Sequence, residues 1–267
     1  MSLARCSLFV LLIAGGSIAN AGSKEFIRLD ADGEIKIDPT GHVSDYHLES
    51  KLSPQIATLV DRQVHGWAFE PVLVGGKPVF AKTALHLQLT AEPTQGDNFA
   101  LRISSVRFGD IERMGGQLPT YPPAAARAGL SALVMLRVRL DEHGKVVEVA
   151  PYQTSLSRPA ASERIADEWR RMFEKASVEA ARTWHYRLAE IVDGKPASVD
   201  AILPIAFHMG TSAPDEWRAY VRGPVREISW HKDSAGLERD QLAATDGSTA
   251  VAESRFHLKS DVIGRVL

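Results

Sequence analysis

The chain has 267 residues, of which 45% are hydrophobic and 24% charged, and its net charge is -2. That length suits one or two folded domains with a buried core. The near balance of charge excludes nucleic-acid binding by bulk electrostatics, and no block of like charges suggests a polyelectrolyte tail.

Residues Met1 to Arg5 carry one positive charge, Cys6 to Ile13 are almost wholly apolar, and Ala19-Asn20-Ala21 has the small-x-small form of a cleavage site. This pattern predicts a secretory signal peptide over 1–21 and a periplasmic mature chain. The alternatives are an uncleaved inner-membrane anchor and a buried N-terminal helix. The uncharged run from Cys6 to Ser23 has the bare length to span a bilayer, but Gly15, Gly16, Ser17 and Asn20 make its second half a poor span. Cys6 is the only cysteine and precedes the cleavage site, so the mature chain is expected to hold its fold by burial without disulfides.

The next signal is a hairpin over Ile35 to Leu48, with Asp-x-x-Gly between β-branched or alternating runs. Gly41 takes the turn position that needs positive φ. A register through Gly33 is the alternative; Gly41 keeps the following helix at a short distance. Ser53-Pro54 supplies an N-cap and an N1 proline. Ile56, Val60 and Val64 form one helical stripe leading to Trp67 and Phe69. Gly76-Lys77-Pro78 turns into a strand over Lys82 to Leu89, where His86 alternates with leucines. Phe99 to Phe108 reads as a fourth strand that covers this sheet's edge, after a turn over Glu92 to Asn98.

The second half repeats the phrase. A hairpin over Leu136 to Val149 turns at Gly144. A helix beginning near Ser157-Arg158-Pro159 carries Ile165, Trp169, Met172, Phe173, Ala176 and Ala180 towards Trp184 and Tyr186. Gly194-Lys195-Pro196 then leads into a strand over Ser198 to Phe207. Each half therefore reads strand, strand, helix, strand. The expected fold class is α+β, with two units, each a small antiparallel sheet with a helix packed on one face. The expected boundaries are 22–110 and 111–210, followed by a C-terminal extension over 211–267. Trp67, Phe69, Trp184 and Tyr186 are expected in the cores, anchoring helix to sheet.

Little else in the chain points to chemistry. The nine histidines are dispersed without metal-ligand spacing, so neither a metal nor another cofactor is expected. No nucleophile elbow, P-loop or dinucleotide fingerprint is present. An enzyme would need His185 or His208 to meet a carboxylate in a pocket. Glu163, Asp167 and Glu168 with Arg164, Arg170 and Arg171 read as a solvated, charge-paired helix face. In the extension, a short helix over Asp215 to Arg222, a mobile polar stretch over Ser234 to Ala252 and a returning strand over Phe256 to Leu267 are expected.

The second unit opens with Pro-Thr-Tyr-Pro-Pro-Ala-Ala-Ala-Arg-Ala-Gly (Pro119 to Gly129). With the Gly144 hairpin, the Trp184-x-Tyr186 helix end and the closing Pro204-Ile205-Ala206-Phe207, it resembles the C-terminal domain of the TonB family over Pro119 to Phe207. The first unit, from about Phe26 to Leu89, looks like a diverged copy without the Tyr-Pro opening. The resemblance implies a short helix, a hairpin, a second helix and a last strand. It also implies a non-enzymatic protein-binding module that pairs edge to edge with an outer-membrane receptor or another envelope protein. The expected partner-binding strand is Ser198, Val199, Asp200, Ala201, Ile202, Leu203, Ile205 and Phe207, with Pro204 suited to an edge. Energy-transducing members of the family have a membrane anchor with a coupling histidine and a Pro-rich spacer. Here Met1 to Ala21 contains no histidine and the 14 prolines are scattered, so a binding module is expected ahead of an energy transducer.

Overall fold

The computed structural model describes residues 27–94, 99–209, 220–230 and 250–267. The expected signal segment, the loop 95–98, most of the expected helix over Asp215 to Arg222 and nearly all of the polar stretch lie outside the described residues.

The fold is α+β and rich in strands. Its first half begins with β1 (Ile27–Ile37) and β2 (Val43–Leu48), which pair antiparallel around Gly41. Gly41 has φ +86, as the turn requires. Helix α1 (Pro54–His65) is capped by the Ser53 side chain and starts with proline. It buries Val60 and Val64. A tight hairpin, β3 (Leu73–Val74) and β4 (Lys77–Pro78), leads into β5 (Ala81–Pro93), which pairs with β1 along its length. β6 (Phe99–Phe108) covers the other side of β5 from Leu85 onwards. Ile35, Leu85, Leu89, Trp67 and Phe69 form the core on this side of the molecule.

β7 (Ile111–Gly115) leads to the short helix α2 (Pro123–Arg127). β8 (Ala132–Leu140) and β9 (Val146–Leu156) then form the second hairpin, turning at Gly144 with φ +76. Helix α3 (Glu163–Ala181) is capped by Ser162. It therefore starts several residues later than Ser157-Arg158-Pro159, because the capping hydroxyl is at 162. Arg170 corrects the expectation of a fully solvated charged face. Its side chain is only 5% exposed and is bound to Glu163 and Asp167, whereas Arg164 and Glu168 pair in the open. β10 (His185–Leu188) pairs with β7. β11 (Ile191–Val192) and β12 (Lys195–Pro196) make the second small hairpin before β13 (Val199–Phe207). β13 pairs with β8 over its whole length, and Phe173, Trp184, Tyr186, Leu136, Leu203 and Phe207 share a core.

Both halves use the same turn contacts. Phe69 N–H donates to the Gly41 carbonyl and Tyr186 N–H to the Gly144 carbonyl, each at 2.8 Å. A Cβ on Gly41 would lie 2.3 Å from Phe69 O, and one on Gly144 would lie 1.7 Å from Tyr186 O. The hairpin turn sits against the backbone of the Trp-x-aromatic segment in each half, so the repeated phrase places a carbonyl where only glycine fits.

The halves are also joined. β11 adds to the start of β5, with Val192 opposite Ala81. The C-terminal residues run across both sheets. Val221 and Val225 bridge to β9, and Ile228 packs with Met135, Tyr152 and Ile202 on the sheet face opposite α3. β14 (Ala250–Glu253) pairs with β13. Phe256 and Val262 enter the core of the first half, and the last residues pair with β6 through Arg102 and Val266. The expected strand over Phe256 to Leu267 is thus a set of isolated bridges. It could not be regular, because it crosses from one sheet edge to another.

Candidate partner-binding edge

β13 lies between β8 and β14. Val199, Ala201, Leu203, Ile205 and Phe207 face the α3 side of the core, as the period of two in a strand demands. Ile202, of opposite parity, is buried under the C-terminal residues with Met135 and Ile228. Ser198 is exposed, just before the strand. Pro204 stands opposite Met135 of β8. On the outer side β14 accounts for Asp200, Ala201 and Ile202 only. Among the described residues, no strand pairs with Leu203 to Phe207 on that side. The expected binding strand is therefore brought together as a strand, but Asp200 to Ile202 are already paired with β14.

The corresponding edge in the first half is closed differently. Leu85 to Pro93 of β5 take β6 as an antiparallel neighbour, and Ala81 and Lys82 take β11. An edge of this geometry accepts added strands twice within one chain. The reason is general: unpaired N–H and C=O groups on an outer strand are a template for another strand.

The polar groups around the edge come from distant parts of the sequence. Arg139 on β8 holds Asp200 at 3.1 Å, donates to the Trp230 carbonyl at 3.0 Å and pairs with Glu148. Glu190, between β10 and β11, is 0% exposed. Its carboxylate accepts from Ser254 Oγ at 2.7 Å and lies 3.4 Å from Arg255 Nη1. Arg255 also donates to the Ser198 carbonyl at 2.7 Å and to Ser198 Oγ at 3.1 Å. Burial pushes the Glu190 carboxyl above its ordinary range, although Ser254 and Arg255 pull the other way. Burial likewise raises the Tyr186 phenol to about 12. No motif marks Glu190 or Arg255 in the sequence; the only hint is a lone acidic residue four positions before the Gly194 turn.

Trp67, Phe69, Trp184 and Tyr186 are buried. Trp67 and Phe69 join Phe108 and Phe256 in an aromatic cluster, and Trp184 Nε1 donates to the Gln117 carbonyl at 2.6 Å. His185 is exposed on β10, and His208 Nδ1 lies 3.3 Å from the Tyr220 hydroxyl. Among the described residues no group of His, Cys, Asp and Glu could hold a metal ion. No helix among them is long and apolar enough to cross a membrane.

Residues 117–209 match the family model described as Gram-negative bacterial TonB protein C-terminal. Two curated relatives, both called "Protein TonB" and from two strains of Xanthomonas campestris pv. campestris, are 32% identical to this chain over 98 residues. The match covers 37% of this chain and 38% of each relative, so the chain spans well under half the length of the curated relatives it matches. No solved structure matches it.

Proposed function

We propose, from the premise that residues 117–209 are a TonB C-terminal domain, that this chain is a non-enzymatic periplasmic interaction protein. It binds an extended segment of an outer-membrane receptor or another envelope protein by strand addition to β13. The observation that carries this reading is that the outer side of β13 takes an added strand, since β14 pairs there with Asp200, Ala201 and Ile202. Backbone hydrogen bonds there supply affinity, and the side chains of alternate residues in the added strand supply selectivity.

The reading includes two related units, 22–110 and 111–210, with 211–267 as an extension that ties them together. The matched turn contacts of Gly41 with Phe69 and of Gly144 with Tyr186 support a common origin. In the first unit β6 takes the place that this reading gives to a partner in the second, which makes the first unit structural.

The test is a titration of the full chain with peptides from the N-termini of candidate receptors, followed by backbone amide shifts. Strand addition is expected to shift Leu203 to Phe207 and leave β2 untouched. A saturating peptide that shifts none of these amides overturns the site. A membrane-anchored energy transducer is the second reading, favoured by the name of the two curated relatives. Intact mass and cell fractionation separate the two: a soluble chain starting at Gly22 supports the binding module, and a membrane-bound chain that keeps residues 1–21 supports the transducer.

A further inference from the structure

Glu190 is a buried carboxylate whose side-chain partners, Ser254 and Arg255, both come from the C-terminal residues. A carboxylate without solvent is costly unless it is hydrogen-bonded and paired. The fold itself does not call for one here. In the first half the equivalent place, four residues before Gly76, is Val72, which is buried and apolar. The equivalence is geometric: Val79 N–H donates to the Val72 carbonyl and Ala197 N–H to the Glu190 carbonyl, both at 3.0 Å.

The seat that the C-terminal residues fill also recurs. Four residues after Gly76, the Phe80 carbonyl accepts from Asp193 N–H at 3.0 Å, and β11 pairs with the start of β5. Four residues after Gly194, the Ser198 carbonyl accepts from Arg255, and β14 pairs with the start of β13. One seat is filled by a hairpin fixed in the middle of the chain. The other is filled by a four-residue strand and two side chains. Gly109 makes room for that strand, since a Cβ there would lie 2.9 Å from Val251.

We propose that Ala250 to Arg255 is a resident, displaceable occupant of the β13 edge, and that Glu190 with the Ser198 carbonyl selects partner segments whose strand is followed by a hydroxyl and a guanidinium. The proposal rests on strand addition to β13 and adds what the incoming segment must carry. A partner strand that adds to the outer side of β13 displaces Ala250 to Glu253 and must then satisfy Glu190. A segment without a donor leaves that carboxylate buried and unpaired, which is how a site rejects a ligand lacking one polar group.

The test uses the full chain and the variant Ser254→Ala/Arg255→Ala, which keeps the backbone of β14 but vacates Glu190. Arg255→Ala alone, which removes the guanidinium but keeps Ser254 on Glu190, serves as a partly vacated form if the double variant unfolds early. The probes are the synthetic peptide Ala250 to Arg255 and the same peptide with Arg255→Ala, and the readouts are Kd and the amide shifts of Asp200 to Ile202. The unaltered peptide is expected to bind the vacated chain about tenfold more tightly than the intact chain, and about tenfold more tightly than the altered peptide does. Adding Glu190→Gln to the vacated chain is expected to collapse the second gap to under about threefold. Equal binding of the two peptides to the vacated chain, with shifts at Asp200 to Ile202, overturns selection by Glu190 while strand addition stands. Equal binding to the intact and vacated chains overturns the displaceable occupant. No shift anywhere on β13 with either peptide overturns this proposal together with strand addition itself.

Discussion

Gly41 and Gly144 occupy positions where backbone geometry and close approach coincide. Gly194 shares the positive φ of Gly144, yet nothing lies within 4 Å of the Cβ it lacks. Gly194→Ala is therefore expected to cost only the left-handed penalty, about 1–2 kcal/mol. Gly144→Ala adds a clash with the Tyr186 carbonyl and is expected to cost more than about 3 kcal/mol, or to prevent folding. Chemical denaturation of the two variants side by side checks the difference. Glu190 gives a second prediction. Its carboxyl is raised on folding, so the folded chain binds more protons than the unfolded chain just above the ordinary carboxylate range. Its contribution to stability is therefore most favourable at low pH and is lost as pH rises through the raised value. Glu190→Gln is expected to flatten this part of the stability profile, as measured by thermal unfolding across pH. A slope unchanged by the substitution assigns the dependence elsewhere. The glycines were legible in the sequence because a turn is local. Glu190 was not, because its partners lie more than sixty residues away.

The two small hairpins show how one local sequence takes different roles as an element. β3–β4 and β11–β12 share Gly-Lys-Pro and a positive-φ pair, Gly75-Gly76 in one and Asp193-Gly194 in the other. Leu73 and Val74 are exposed, whereas Val192 pairs with Ala81 and packs on the first core. Val74→Ala is expected to change stability by less than about 0.5 kcal/mol, and Val192→Ala to cost about 1 kcal/mol or more. Equal costs in equilibrium unfolding would mean that β11 contributes nothing at its seat. The hairpins, the Ser53 cap, the Trp-x-aromatic anchors and the β6 cover could be read from periodicity and capping chemistry. The place of β11 on β5 could not, because two-residue strands carry no period. The late start of α3 was missed because Ser157-Arg158-Pro159 has the form of the Ser53-Pro54 start, whereas the capping hydroxyl is that of Ser162.

At the scale of the whole molecule, the C-terminal residues decide how separate the halves are. Phe256 meets Phe69 edge to face and stacks with Phe108 in the first core, while Ile228 covers the second sheet and β14 extends it. Phe256→Ala is expected to cost about 3–5 kcal/mol. Protection of β5 and β13 amides in native-state hydrogen exchange is expected to be lost at one common free energy, since β11 and the C-terminal residues bind both sheets. Two well-separated free energies would show that the halves unfold independently. The family resemblance, read over Pro119 to Phe207, lies within the matched stretch 117–209, because that stretch keeps its local signals in order. The role of the extension was illegible, since its pairings join residues up to 192 positions apart.

That stitching also sets an order of events during synthesis. The strands β6 and β13 leave the ribosome long before Ala250 to Leu267, so each waits without the pairings that these residues supply. In that interval the nascent chain is at its most adhesive, and a late stop codon would make the interval permanent. Ala250 to Leu267 are thus a closing stitch, and chains truncated before Ala250 are expected to reveal themselves first by aggregating.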